Sequence, residues 1–244
     1  MKAPRMLYRL YVGVSSAIIF LSAILSSYSG VAQEADALVN RVREKLNMVK
    51  DYQARGVLIT NVSFMKVPKS DITVYYKNPD KFKIKKQDGI SIVPKGGMSI
   101  NVNTLFAANG QFTAVPAGKI KFQGEDLSVI KLLPLDEKSD VVVSTLYVDD
   151  KLALVRKAIT TTKESGTYEI EMNYGKFISW GLPDKVVFLF NTQNYKLPKG
   201  LAFDYDTGEK SVVNDKSENQ KGKVEINYSA YIINKGISQD VFGK

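Results

Sequence analysis

The sequence predicts a mainly β fold in which about ten antiparallel strands form a curved sheet or open barrel, with one helix packed against it. Three observations predict this fold. One segment near the start has the spacing of an amphipathic helix, the following segments alternate apolar and polar residues, and turn residues separate those segments. The chain has 244 residues, enough for one domain with a sizeable core after a leader is removed.

The predicted helix covers residues 34–51. Leu38, Val42 and Leu46 recur every fourth residue and therefore share one face, while charged residues occupy the other. Gly56 is expected to end this helical region. It is the only long helix that the spacing supports.

The strands are predicted where apolar residues recur at every second position, so that one face is apolar and the other polar. The predicted strands are Leu58, Thr60, Val62 and Phe64; Ile72, Val74 and Tyr76; Phe82 and Ile84; Val141–Val148; Leu152–Thr160; Tyr168, Ile170, Met172 and Tyr174; Val186–Phe190; and Val224, Ile226, Tyr228, Ala230 and Ile232.

Turn residues connect several of these strands. Asn78, Pro79 and Asp80 favour a turn, and residues 149–151 are expected to close a hairpin. Val186–Phe190 is apolar on both faces and is expected to be a covered central strand. Residues 90–118 are ambiguous, with short helical turns at 103–108, and residues 206–222 form a polar excursion.

Residues 1–32 are predicted to be a secretory signal peptide. Basic residues precede the apolar stretch Leu10–Leu25, and small residues precede a cut after Ala32. An uncleaved anchor is the alternative, but the stretch is shorter than the roughly 20 residues that span a bilayer. No cysteine follows the cut, so no lipid anchor is expected there. We expect residues 33–244 to form a single soluble domain in the periplasm.

The composition excludes much catalytic chemistry, because the chain contains neither histidine nor cysteine. A Ser-His-Asp or Cys-His arrangement, an imidazole base, a disulfide and the common zinc sites are therefore impossible. We expect a binding protein and not an enzyme, with no catalytic residue, no metal and no cofactor. The net charge of +9 comes mainly from lysines that are dispersed along the chain, so we do not expect nucleic-acid binding. The charge could attract the protein to anionic membranes or simply keep it soluble.

Acidic residues offer a few weak candidate sites. Glu169 and Glu171 project from one face of a strand, as a glycosidase pair would, but they lie where an alternating strand is expected to be polar. Asp149 and Asp150 are expected to form a turn and not a metal site. Residues 204–209 only partly match a calcium loop, and a turn is favoured there.

The order of motifs along the chain resembles the LolA/LolB-like superfamily of outer-membrane lipoprotein-sorting proteins. The motifs are Tyr75-Tyr76-Lys77-Asn78-Pro79-Asp80-Lys81-Phe82, Leu146-Tyr147-Val148-Asp149, Leu154-Val155-Arg156-Lys157, Gly166-Thr167-Tyr168, Leu182-Pro183-Asp184-Lys185-Val186, Tyr228–Ile237 and Phe242. The resemblance implies a half-open antiparallel β-barrel whose apolar concave face holds acyl chains beneath a helical lid, with short lid helices.

The same resemblance implies a periplasmic carrier that takes acyl chains of lipoproteins or related lipids toward the outer membrane. The implied partners are an acylated lipoprotein or lipid cargo, an inner-membrane ABC transporter and an outer-membrane acceptor, and a monomer is expected. An RseB-like regulator that senses lipids in the cell envelope is the alternative.

Candidate site residues follow from the faces of the predicted strands and from the resemblance. The predicted lining of the cavity is Phe82, Ile84, Tyr168, Ile170, Met172, Tyr174, Phe188 and Phe190. The lid residues are Leu38, Val42 and Leu46. The resemblance further implies an arginine on an early strand that fastens the lid, and Arg55 lies near that place.

Overall fold

A computed structural model describes residues 33–62, 65–66, 69–86, 91–92, 111–164, 166–191 and 221–243. The predicted signal peptide, the helical turns at 103–108 and the acidic stretch at 204–209 lie outside the described residues. The polar excursion predicted at 206–222 also falls outside them, apart from its last two residues.

One helix and twelve strands form the described part of the chain. The helix, α1, covers residues 33–47. The strands are β1 (Asp51–Val62), β2 (Met65–Lys66), β3 (Ser70–Lys77), β4 (Lys81–Lys86), β5 (Ser91–Ile92), β6 (Phe112–Phe122), β7 (Glu125–Pro134), β8 (Val141–Asp149), β9 (Leu154–Thr162), β10 (Gly166–Asn173), β11 (Lys185–Asn191) and β12 (Lys221–Ile233). Short 3₁₀ turns occur at Ile178–Trp180 and Gln239–Phe242.

All pairings in the sheet are antiparallel, in the order β5-β4-β3-β1-β12-β11-β10-β9-β8-β7-β6, and β2 pairs with β1. Ten strands are longer than two residues, which confirms the predicted number. Within the described segments, the sheet ends at β5 on one side and at β6 on the other. The sheet is therefore open, as predicted for a half-open barrel.

The helix prediction is confirmed, but the predicted role of Gly56 is wrong. Helix α1 ends at residue 47, three residues of irregular backbone follow, and Gly56 lies inside β1. A Cβ atom at Gly56 would lie 2.5 Å from the backbone oxygen of Asn227. Gly56 is therefore needed for the close approach of β12 and does not terminate a helix.

The hydrophobic core lies on one face of the sheet, which we call the inner face, and α1 covers it. Cross-strand partners continue this face from strand to strand: Ile84 lies opposite Val74, and Val74 lies opposite Ala54. All three are fully buried. Leu38 and Val42 of α1 belong to the same core cluster, so burial of the inner face stabilises both the sheet and the helix position.

A β-bulge changes the face of the last residues in β12. Arg55 pairs with Ala230, but the next residue of β1 pairs with Tyr228, so Ser229 is an extra residue. Beyond the bulge, Tyr231 packs against the core and Ile232 is 48% exposed. The alternation predicted for this strand is therefore correct before the bulge and wrong after it.

The predicted connections agree with the structure. Residues 78–80 form the turn between β3 and β4, and residues 150–153 join β8 to β9. Strand β9 begins two residues later than predicted, at Leu154, because Leu152 and Ala153 belong to the turn. Strand β11 lies between β10 and β12, which confirms the predicted central strand.

Candidate functional site

Strands β10 and β11 bring five of the predicted lining residues together on the inner face. Tyr168 lies opposite Phe190, and Ile170 lies opposite Phe188. Met172 lies one pair further along, opposite Val186. All five predicted residues are buried, and their role in lipid binding stays a prediction.

Aromatic rings dominate this part of the inner face. The ring centroids of Tyr168 and Phe188 are 5.3 Å apart, and those of Phe188 and Phe190 are 5.4 Å apart. The Phe190 ring lies against Gly222, where an added Cβ would come within 2.3 Å of it. Glycine at this position of β12 thus creates the space for the ring.

The other predicted lining residues lie further along the same surface. Phe82 and Ile84 are buried on β4, four strands away from β11 in the sheet order. Tyr174 follows the end of β10, is partly buried, and donates a hydrogen bond to the Val155 carbonyl at 2.9 Å. The predicted lining residues thus lie in two places on the inner face, on β4 and around β10 and β11.

A cluster of tyrosines lies where β1, β3 and β12 meet, and sequence reasoning missed most of it. The Tyr52 ring centroid is 5.2 Å from those of both Tyr76 and Tyr231. The Tyr231 hydroxyl donates to the Pro183 carbonyl at 2.7 Å. Burial, reinforced by the neighbouring Tyr228, raises the pKa of Tyr52 well above its usual value, so these phenols stay neutral.

Helix α1 rests on the inner face through its apolar side chains. The predicted lid residues Leu38 and Val42 are buried, and Leu46 is partly buried against the same cluster. Two arginines add contacts that the sequence did not reveal. The Arg41 guanidinium donates to the Asp150 carbonyl at 2.7 Å, and the Arg43 guanidinium lies 4.9 Å from the Phe112 ring centroid.

Arg55, the residue suggested for fastening the lid, occupies a different place. Its side chain is exposed, and its neighbours Ala54 and Gly56 are the buried residues of β1. Because side chains alternate along a strand, Arg55 projects from the outer face, away from α1. Arg41 and Arg43 of α1 are the arginines that contact residues outside the helix, at the Asp150 carbonyl and the Phe112 ring.

The junction between α1 and β1 is held by one asparagine after β12. The Asn234 side chain donates to the Met48 carbonyl at 2.9 Å and accepts from the Lys50 backbone N–H at 2.8 Å. A second amide contact joins Asn78 to Asn47 at 3.3 Å. The C-terminal end of the helix is therefore tied to the sheet through side-chain hydrogen bonds.

A small cleft opens between the N-terminal half of α1 and strands β6 and β7. Its volume is about 120 Å³, below the roughly 300–1,000 Å³ of typical small-molecule sites. The lining residues are Glu34, Ala35, Leu38, Pro116, Gly118, Lys119, Ser128, Val129 and Ile130. This cleft is therefore too small to enclose a long alkyl chain.

The acidic pair Glu169 and Glu171 lies on the outer face of the sheet. Both carboxylates form ion pairs with Lys157, the longer of which is 3.8 Å. Burial and the neighbouring Glu169 raise the pKa of Glu171. These pairs give the two glutamates a structural role between neighbouring strands.

The aspartates of the β8–β9 turn also have local structural partners. Asp149 Oδ1 accepts from the backbone N–H groups of Lys151 and Leu152 at 3.0 and 3.1 Å. Its other oxygen lies 3.4 Å from Arg156. Within the described ranges, no three acidic side chains cluster closely enough to hold a metal ion.

Helix length gives a further constraint on the described part of the chain. None of the helices there is both long and apolar enough to cross a membrane.

The open antiparallel sheet with its apolar inner face beneath an N-terminal helix is similar in fold to a solved LolA superfamily protein. A LolA superfamily protein from Nitrosomonas europaea superposes with a TM-score of 0.55 at 11% identity, covering 86% of this chain and 97% of the other. The predicted resemblance is thereby confirmed at the level of the fold.

Two further solved structures share this fold. A domain of an outer membrane lipoprotein-sorting protein from Vibrio parahaemolyticus, so described, superposes with a TM-score of 0.53 at 12% identity. The match covers 86% of this chain and 97% of the other. A DUF1329 family protein from Desulfovibrio piger superposes with a TM-score of 0.52 at 11% sequence identity, covering 85% of this chain and 96% of the other. No family model and no curated protein matches the sequence.

Proposed function

We propose that this protein is a periplasmic carrier that binds acyl chains of lipoproteins or related lipids on its inner face and passes them toward the outer membrane. The proposal describes a binding protein and not an enzyme. The predicted signal peptide supports a location in the periplasm, and an inner-membrane ABC transporter and an outer-membrane acceptor are the partners that we expect.

One observation supports the proposal: among the described residues, one helix packs against a continuous apolar inner face and pairs with no strand. Ile170 and Phe188 form part of the face, while Leu38 and Val42 of α1 cover it. The sheet itself is complete without α1, because every described strand pairs only with other strands. Removing the helix would therefore expose apolar surface without breaking the sheet.

The energetics favour reversible exchange between helix and cargo. Each buried methylene contributes about 0.8 kcal/mol, so a chain of about 16 carbons offers on the order of 10 kcal/mol. Entry of that chain would expose Leu38, Val42 and Leu46, which each cost roughly 1.5–3 kcal/mol to expose fully. Because gain and cost partly cancel, the net affinity suits a carrier that must also release its cargo.

The proposal is tested first by identifying what the protein carries. The protein is purified from the cell envelope, and its organic extract is analysed by mass spectrometry. Acylated lipids or lipopeptides at near one equivalent are expected. An extract free of acyl chains, together with no binding of a fluorescent palmitoyl lipopeptide, would contradict the proposal. A captured membrane protein without lipid would favour the RseB-like regulator.

Weakening the attachment of α1 should increase the affinity for acyl chains. Arg41→Gln removes the 2.7 Å hydrogen bond to the Asp150 carbonyl, which contributes about 0.5–1.5 kcal/mol. The helix then leaves the inner face more readily, so the lipopeptide is expected to bind about two- to tenfold more tightly. Fluorescence titration measures this change.

Lys151→Gln is the matched control for this experiment. Lys151 is exposed and adjacent to Asp150 in the chain, and its substitution removes the same charge without touching α1. Its affinity should equal that of the unmodified protein. Equal affinity of both variants would mean that α1 and cargo do not compete.

A further inference from the structure

Two regions of the outer face of the sheet differ in how their charges are balanced. On β9–β12, lysines and glutamates neutralise one another. The ion pairs are Lys157 with Glu169 and Glu171, and Glu225 with Lys185 and Lys223. This region therefore presents little net charge.

The outer face of β1, β3 and β4 has an excess of positive charge. Its basic residues are Arg55, Lys77, Lys81, Lys83 and Lys85, and its acidic residues are Asp51 and Asp71. Lys77 and Lys81 donate to the Ile237 carbonyl and to the Gln239 side chain. Both acceptors are neutral, so they orient these lysines without cancelling their charge.

The same surface combines cations with an aromatic and an apolar side chain. Lys83 lies opposite Tyr75, Tyr75 lies opposite Gln53, and Gln53 lies opposite Ile232. This single row crosses four strands on the outer face, and its last residue, Ile232, is 48% exposed. In the next row, Lys85 places its ammonium 5.4 Å from the Tyr75 ring centroid.

We propose that this surface, formed by the outward residues of β1, β3 and β4 with Ile232 of β12, docks onto an anionic phospholipid bilayer. Successive outward lysines of β4 stand about 6.6 Å apart along the strand, which suits a plane of lipid phosphates. Tyrosine and isoleucine can then contact the boundary between headgroups and acyl chains.

The chemistry favours a membrane over a specific anionic ligand. Flexible lysines act as point charges, whereas bidentate recognition of one phosphate or carboxylate generally uses arginine. The surface is also the outer side of a sheet and not a concave pocket. The site is separate from the inner face, so docking and acyl binding can be tested independently.

The experiment measures co-sedimentation of the purified protein with vesicles. One set contains only phosphatidylcholine, and the other contains phosphatidylcholine with about one third phosphatidylglycerol. Binding is expected to the anionic vesicles alone and should fall sharply at 0.5 M NaCl, since salt screens exposed charges. Lys83→Gln/Lys85→Gln should weaken binding about twenty-five-fold, at about fivefold for each lysine.

Three controls make the outcome specific to this surface. Lys131→Gln/Lys138→Gln removes two exposed lysines elsewhere and should bind within about twofold of the unmodified protein. Lys83→Arg/Lys85→Arg keeps the charge and should bind normally. Palmitoyl lipopeptide binding in vesicle-free buffer should be the same for all variants.

Several results would overturn the docking proposal. They are equal binding to neutral vesicles, no binding to anionic vesicles, an equal loss in both glutamine variants, or loss in the arginine variant. Failure to bind lipopeptide in solution would instead count against the carrier function. Vesicle binding would then still report on the basic surface.

Discussion

Glu225 illustrates how a single outer-face residue is held in its charged form. Burial alone would raise the pKa of this carboxyl, but hydrogen bonds from Asn227, Lys185 and Lys223 outweigh burial and lower the pKa to about 2. The three nitrogen–oxygen distances are 2.9, 2.9 and 3.0 Å. The ionised glutamate thus joins β11 to β12 on the surface opposite the proposed cargo.

This lowered pKa predicts how stability depends on pH. A carboxyl whose folded-state pKa lies below the unfolded value of about 4.3 stabilises the fold at higher pH. Its contribution is lost as pH falls from about 4.3 to 2. Glu225→Gln should therefore cost about 1–2 kcal/mol at pH 7 and almost nothing near pH 2. Urea unfolding at several pH values measures the difference.

Glu171→Gln is the control, because the pKa of Glu171 is shifted in the opposite direction to that of Glu225. The pKa of Glu171 is raised by burial and by Glu169, so its ionisation opposes folding and protonation favours it. The substitution should be neutral or stabilising at pH 7. A loss as large as that of Glu225→Gln would show that the negative charge of Glu171 stabilises the fold, and would contradict its raised pKa.

At the level of secondary-structure elements, α1 is expected to stabilise the empty protein while competing with cargo. Leu38→Ala removes a buried leucine from its apolar side and should lower the free energy of unfolding by about 2–3 kcal/mol, the lower part of the usual range. The lipopeptide affinity should rise. Urea unfolding and fluorescence titration measure the two effects.

Leu152→Ala is a suitable comparison, because Leu152 is 43% exposed in the β8–β9 turn. Its substitution should change stability by less than about 0.5 kcal/mol. If Leu38→Ala lowered the affinity as well as the stability, Leu38 would be part of the cargo site and not a competitor of the cargo.

The sequence predicted the strands themselves better than it predicted the β-bulge in β12 and the role of Gly56. Period-two alternation directly predicts that Phe82 and Ile84 share a face. The single extra residue Ser229 leaves no trace in composition, so the exchange of faces at Tyr231 and Ile232 required the structure. Glycine is common both at helix ends and where two strands approach closely. The residue type at position 56 therefore could not decide between the two.

The attachments of α1 could not be predicted for a related reason. The helical spacing assigns Arg41 and Arg43 to the polar side, where solvation is the default. Their partners, the Asp150 carbonyl and the Phe112 ring, lie far away in the chain. Long side chains reach across such distances only once the tertiary arrangement is known.

At the scale of the whole molecule, the order of the sheet predicts where stability is concentrated. The strands β1, β11 and β12 lie in the interior of the sheet order, and β1 pairs with β12 over most of its length. Helix α1 lies at the start of the described chain and contributes no strand pairing. Cargo should therefore affect α1 more than the central strands.

Hydrogen exchange followed by mass spectrometry can test this expectation. Saturation with palmitoyl lipopeptide should speed exchange in residues 33–47, because the displaced helix loses its support. Amides of β11 and β12 should remain the slowest with and without ligand. Slower exchange of the helix on binding would contradict competition, and a ligand without acyl chains serves as the control.

The Asn234 side chain has a consequence for any movement of the helix. Since it holds the backbone on both sides of Val49, it acts as a fixed pivot at one end of α1. If the helix swings about this pivot, its first residue, Gln33, moves furthest, because each intervening residue adds about 1.5 Å to its distance from the pivot. The space between α1 and the inner face would then open most beside β6 and β7. The hydrocarbon tails of the proposed cargo would enter and leave from that side.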